Sequence, residues 1–410
     1  MAMRVALALR AAVFAPSRRR RERDPASCAV RARGRGVATT TTLQALPSLS
    51  LSSSSSSSSC RFPLAARLHR GWVVAAARGR GSGRGDGRGG RGRRGGGGAR
   101  GGRGWLSPEK FAEARKLNGE LVASRSAAEL LSIVAERGGD FNEVNVATAV
   151  NKLAKVARER DNLRGDPRYA RLLELVRLRC RELQARHVAN VVHGLGVLCA
   201  DKGAGDVDAE TAGEVMLAVE REIDSMNPQA IANVYNGLTK LPAAAAAMSP
   251  ERWRRLSEAA SHLAPEMTAQ GIANTLNALG KIDAAAEAVS SGTGWSRLIE
   301  AAERRAPEMN AQEIANTLNA LGKVDAAAEV VSSGTGWSRL IGAAERLTPE
   351  MNNQNIANVL NALGKIDAAA VKVSSAGWSH FATAVERTSG VMIAQNVSNV
   401  VNAYAEMRRV

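Results

Sequence analysis

Gln270, Asn274, Asn277 and Lys281 form a set that returns at Gln229-Asn233-Asn236-Lys240, Gln312-Asn316-Asn319-Lys323 and Gln354-Asn358-Asn361-Lys365. A further frame offers Arg186, Asn190 and His193. Each amide carries two N–H donors and one carbonyl acceptor, enough to meet the edge of a nucleobase in two places. The lysines add a cation at one end of each set. The local sequence is helical: IANTLNALGK at 272–281 is repeated without change at 314–323 and nearly so, as IANVLNALGK, at 356–365. At 100° per residue, Asn274, Asn277 and Lys281 fall within about ±40° of Gln270, while Ile272, Leu276, Leu279 and Ile282 fall at about 120–240°. The polar set is therefore one face of a helix whose other face is apolar. Ala273 and Ala278 flank the polar stripe with Gly280 nearby, which lets neighbouring helices approach closely. Asn lowers helix propensity by about 0.5 kcal/mol or more against Ala, so its return in each copy calls for a use.

Three uses remain open on these residues. The stripe can read bases, as helical-repeat RNA binders do with two or three side chains per base. It can ladder between repeats with no ligand, or it can hold the backbone of an extended peptide.

The element that carries the stripe is a repeat. Met226, Met267, Met309, Met351 and Met392 mark successive frames 41, 42, 42 and 41 residues apart, and Phe141 and Leu183 continue the frame towards the N-terminus. Trp253, Trp295, Trp337 and Trp378 keep the same step, with Tyr169 at the matching place of the first frame. Two helical segments per period of this length predict an all-α fold, a right-handed α-solenoid of about seven ~42-residue two-helix repeats. The first helix of a unit, A, is expected to start at Asn227, Thr268, Asn310 or Asn352 as N-cap, with Pro228 at N1 and Glu313 as a capping-box partner. It should run to about Ile282, followed by a connector (DAAAEAVSSGTG) and a second helix, B, that ends at Pro265, Pro307 or Pro349. Trp295 beside Leu298 and Ala302 reads as core, worth roughly 2–3 kcal/mol on burial. The first and last frames, with Thr148-Asn151-Lys155 and Gln395-Asn399-Asn402-Glu406, depart from the pattern, as end units do.

Charge divides the 410 residues sharply. Residues 1–105 hold 22 Arg, no Lys and three acids, a net of 22 − 3 = +19; the rest holds 34 basic and 36 acidic residues, a net of 34 − 36 = −2. Bulk charge thus gives the repeat region no argument for nucleic acid. Arg-rich, Ser-rich and acid-poor, residues 1–60 read as an organellar transit peptide, which places the protein in a chloroplast or mitochondrion. Residues 61–105 contain an Arg/Gly tract at 78–104 and read as a disordered linker of the kind that contacts RNA through guanidinium groups. Residues 106–410 form the repeat domain.

Other chemistry is discounted. Cys28, Cys60, Cys180 and Cys199 make no CxxC pair. His187 and His193 lie six apart, about 240° round a helix, and cannot share a metal. Gly280-Lys281 lacks the spacing of a phosphate-binding loop. No apolar run reaches the ~20 residues of a membrane span. The sequence reads as no enzyme, with no cofactor.

The segments AAELLSIVAERGGDFNEVNVATAVNKLAKV (127–156), VANVVHGLGVL, IANVYNGLTKL and IANTLNALGKI resemble the repeats of organellar helical-repeat RNA-binding proteins. These are the octotricopeptide-type translation and RNA-maturation factors, the FAST-kinase-like and RAP-domain proteins, and the RNA-editing substrate-binding complexes. The resemblance covers roughly 127–410. It implies binding of single-stranded organellar RNA and a post-transcriptional role, alone or among protein subunits of an RNA-processing complex. Two departures stand out. The period is longer than the octotricopeptide one, and Asn277, Asn319 and Asn361 occupy the usual Trp position.

Overall fold

A computed structural model describes residues 108–289, 293–325, 327 and 337–407. Residues 1–60, read above as a transit peptide, and the Arg/Gly-containing linker at 61–105 lie outside the described residues. In chain order the helices are α1 Pro108–Ala123, α2 Ala127–Arg137, α3 Glu143–Val156, α4 Pro167–Arg179, α5 Ala185–Asp201, α6 Ala209–Glu222, α7 Pro228–Leu238, α8 Pro242–Ala246 and α9 Pro250–Leu263. They continue as α10 Ala269–Leu279, α11 Asp283–Val289, α12 Gly294–Arg305, α13 Ala311–Leu321, α14 Trp337–Leu347, α15 Asn353–Lys365, α16 Asp367–Ala370, α17 Ser375–Thr388 and α18 Ala394–Met407. No strand occurs among the described residues.

The helices form an α-solenoid of two layers. The A helices α3, α5, α7, α10, α13, α15 and α18 stack each on the next, and α1 adds an eighth member ahead of α3. The B helices α2, α4, α6, α9, α12, α14 and α17 form the second layer. One apolar core runs between the layers from Leu117 to Ala403. Ile272, Leu276 and Leu279 are buried in it, as their period requires, and so are the marker residues Met267, Met309 and Met351. Trp253, Trp295 and Trp337 are core, while Trp378 is partly buried and packs edge-on against Phe381.

Helix starts follow the expected capping chemistry. Asn227 and Thr268 accept backbone N–H groups of the first turn. Asn310 Oδ1 accepts from the Glu313 N–H at 2.9 Å, and the Asn310 N–H donates to Glu313 Oε2 at 3.0 Å. The other ends need correction. α10 stops at Leu279, with Gly280 as C-cap, rather than near Ile282. The connector is partly helical: Asp283–Val289 forms α11 on the preceding B helix, and α8 and α16 sit equivalently. Each B helix gives way, one residue before its Pro, to a 3-10 turn at 264–266, 306–308 or 348–350.

Two contacts join neighbouring units. Small residues let the A helices touch at backbone distance: a Cβ on Gly280 would lie 2.8 Å from Ala320 Cα, and one on Gly322 3.0 Å from Ala362 Cα. Arginines near the C-terminal ends of B helices reach back to carbonyls of the turn before the A helix. Arg221 donates to the Cys180 and Leu183 carbonyls, Arg305 to Met267, Arg346 to Pro307, and Arg387 to Thr348 and Met351. Of these acceptors, the Cys180 and Thr348 carbonyls also take the backbone N–H that closes their 3-10 turn, from Leu183 and Met351.

Candidate nucleic-acid interface

Stacking of the A helices brings the predicted stripe residues onto one surface, but with graded exposure. Gln229, Gln312 and Gln354 are exposed and Gln270 is half-buried, all at the second position of their helices. Asn190, Asn233, Asn236, Asn274, Asn277, Asn316, Asn319, Asn358 and Asn361 are half-buried. The approach of neighbouring helices at Ala and Gly puts these amides at the seams between units. At one seam the amides meet: Asn361 Nδ2 donates to Asn319 Oδ1 at 3.3 Å. Arg186 is exposed on α5.

Lys240, Lys281 and Lys323 follow the last turns of α7, α10 and α13, and Lys365 ends α15. Cations there oppose the negative end of the helix dipole. Lys240 is ion-paired with Asp201 at 2.7 Å. Lys281, Lys323 and Lys365 reach solvent with no carboxylate at ion-pair distance among the described residues. Burial of its surroundings, then Lys323 and Lys240, lowers the Lys281 pKa from the ordinary lysine value. The surface therefore has an amide edge at the helix N-termini, a seam of asparagines, and a cationic edge at the C-termini.

His187 and His193 lie on α5. Both Nδ1 atoms are buried without a hydrogen-bond partner. Burial foremost holds both pKa values below the ordinary 6.5; for His193, Lys240 and Lys155 add to the depression against Asp201, and for His187, Arg186 does so against Glu143 and Glu222. The unfolded chain therefore takes up these protons first, and stability rises with pH across the window below about 6.5. The stability present above pH 6.5 is lost as pH falls through the folded-state values. Thermal denaturation should show a lower Tm at pH 5.5 than at pH 7.5, with the difference reduced in His187→Gln/His193→Gln. An unchanged or higher Tm at pH 5.5 would count against buried neutral imidazoles.

No group of three or more His, Cys, Asp or Glu among the described residues is arranged to hold a metal ion, and no described helix is long and apolar enough to cross a membrane. Three contributors escape sequence reading. The arginine-to-carbonyl bonds have main-chain acceptors, which carry no side-chain signal, although Arg305, Arg346 and Arg387 recur 41 residues apart. The extra A helix α1 lacks the Met marker and the stripe. Asp201, which neutralises Lys240, belongs to the preceding unit.

A family model described as a protein of unknown function (DUF1601) matches residues 215–234, 253–276 and 296–318. Each match runs from a B helix, through the 3-10 turn, into the following A helix, so the family's unit has the register of these repeats. No curated protein matches the chain.

Proposed function

We propose that the repeat domain binds single-stranded RNA along its A-helix surface, within a chloroplast or mitochondrion, and acts there in RNA processing, stability or translation. The observation that carries this reading is the fourfold register of Gln and Lys at opposite edges of stacked A helices. Four successive units present the same pair of groups, which suits a ligand that is itself periodic. The resemblance to organellar repeat proteins supports it. A second reading, a protein–protein scaffold in an RNA-processing complex, draws on the Asn319–Asn361 bond, which uses up ligand-binding groups inside the domain, and on the near-neutral charge of residues 106–410.

Titration of residues 106–410 with RNA homopolymers at two salt concentrations tests the choice. Binding should weaken with salt and favour one base, because the units are alike. Gln270→Ala/Gln312→Ala/Gln354→Ala should lower affinity at least ~10-fold, since a well-placed base contact is worth about 1–3 kcal/mol. Absence of binding at low salt would sink the RNA reading. If the full chain binds regardless of Asn274→Ala, Asn277→Ala, Asn316→Ala and Asn319→Ala but loses binding without residues 78–104, the stripe is structural.

A further inference from the structure

Fourteen residues after each frame marker Phe141, Met226, Met267, Met309 and Met351 stands a lysine: Lys155, Lys240, Lys281, Lys323 and Lys365. The two remaining frames place Val197 and Glu406 there. Because the A helices stack in chain order, this coincidence of register becomes a row along the C-terminal edge of the layer. Neighbouring members of the row between Lys155 and Lys323 are close enough to act on one another or on a shared neighbour. Lys281 feels both Lys323 and Lys240, and His193, which stands on the unit that lacks the lysine, feels both Lys240 and Lys155.

What distinguishes these charges is that internal ion pairs leave them largely unused. In the B layer, Arg137, Arg177, Arg252, Arg254 and Arg255 each pair with one to three carboxylates. Among the described residues, Lys240 alone in the lysine row does, with Asp201. Asp283, Asp325 and Asp367 stand two residues after their lysines, yet none is at ion-pair distance from one. Favourable placement at a helix end is worth about 0.3–1 kcal/mol per cation and asks nothing of the neighbouring unit. Aligning like charges across successive helices some 8–10 Å apart raises their mutual repulsion, which a bound polyanion relieves.

We infer that this lysine row is a track for a phosphodiester backbone, one cation per repeat, which leaves the exposed glutamines of the opposite edge to face the bases. The inference rests on the RNA reading above and adds to it a division of labour between the two edges. It also brings in Lys155, from the degenerate first frame, and makes the second frame, with Val197, the weak point of the track.

The chain is suited to a direct test because residues 1–105 contain no lysine. Amine acylation of the full chain, read at its lysines by mass spectrometry, reports on the repeat domain alone although the arginine-rich segment is present. A saturating single-stranded RNA oligonucleotide should slow acylation of Lys281, Lys323 and Lys365 at least ~3-fold and leave Lys110, Lys116, Lys202 and Lys372 unchanged. Lys281→Gln/Lys323→Gln should reduce the slope of log affinity against log salt by about 1.4, at ~0.7 per single-strand phosphate contact, whereas Lys281→Arg/Lys323→Arg should keep it. If RNA binding depends on Gln270 and Gln312 but the row is acylated at its free rate and the salt slope is unchanged, the track is wrong and the RNA reading stands. If neither glutamines nor lysines respond to RNA, both fall.

Discussion

Gly237→Ala should destabilise the repeat domain by about 1–3 kcal/mol, although helix propensity alone predicts a gain of about 1 kcal/mol from the same change. The residue lies near the end of α7, where a Cβ would stand 2.6 Å from the Val192 carbonyl oxygen and 2.7 Å from its carbon. Those are backbone atoms of α5 and can give way only if a whole helix moves. Gly342, inside α14, has nothing within 4 Å of the equivalent position, so Gly342→Ala should raise stability by about 0.5–1 kcal/mol. Chemical denaturation of both variants measures the contrast directly. The larger Gly237→Val should go further. In a linear array each unit is held by its neighbours alone, so a broken α5–α7 contact lets the two sides melt at different temperatures. Calorimetry should then show two transitions in place of one. If both Gly237→Ala and Gly342→Ala stabilise, the A helices do not touch as closely as described.

Trp337→Ala should cost about 3–5 kcal/mol and leave the proposed RNA binding unchanged at temperatures where the variant is folded. Trp337 is among the largest fully buried side chains and packs where Trp295 and Trp253 pack in their own units. Its Nε1 is buried with no hydrogen-bond partner, as is that of Trp295. Trp337→Phe removes that unpaired donor, whose burial costs about 1–3 kcal/mol, while keeping most of the ring volume. It should therefore cost far less than the alanine variant. A loss of RNA affinity in folded Trp337→Phe would show that the indole meets bases. A cost equal to that of Trp337→Ala would show that the donor has a partner.

The marks that made the fold legible are those with a period: the methionines, the tryptophans, and the apolar face of Ile272, Leu276 and Leu279. Each repeats because each fills the same hole between layers. Helix starts were equally readable, since Asn310 and Glu313 act on groups three residues away. What escaped depends on contacts between units. The half-burial of Asn277 follows from how closely α10 and α13 approach, and a single helix drawn on a wheel has no neighbour to bury it. The end of α10 at Leu279 is hidden in the sequence because Lys281 and Ile282 continue the polar and apolar faces beyond the point where the backbone stops being helical. The Ala-rich stretch after Asp283 looked like a connector because Gly and Ser follow it, yet it forms α11. Of the candidate interface, the sequence showed which residues share a face; which of them reach solvent became visible only with the neighbouring helix in place.

The arginines that reach back to turn carbonyls give the array a direction in time. The Leu183 carbonyl accepts from Arg221, that of Met267 from Arg305 and that of Met351 from Arg387, so each donor lies 36 to 38 residues downstream of its acceptor. A chain made N-terminus first therefore leaves each of these carbonyls without its arginine until the following B helix has emerged. The bond that joins a unit to its predecessor is thus the last of that unit's contacts the chain can supply. A chain shortened within the array would leave the last such carbonyl without its arginine.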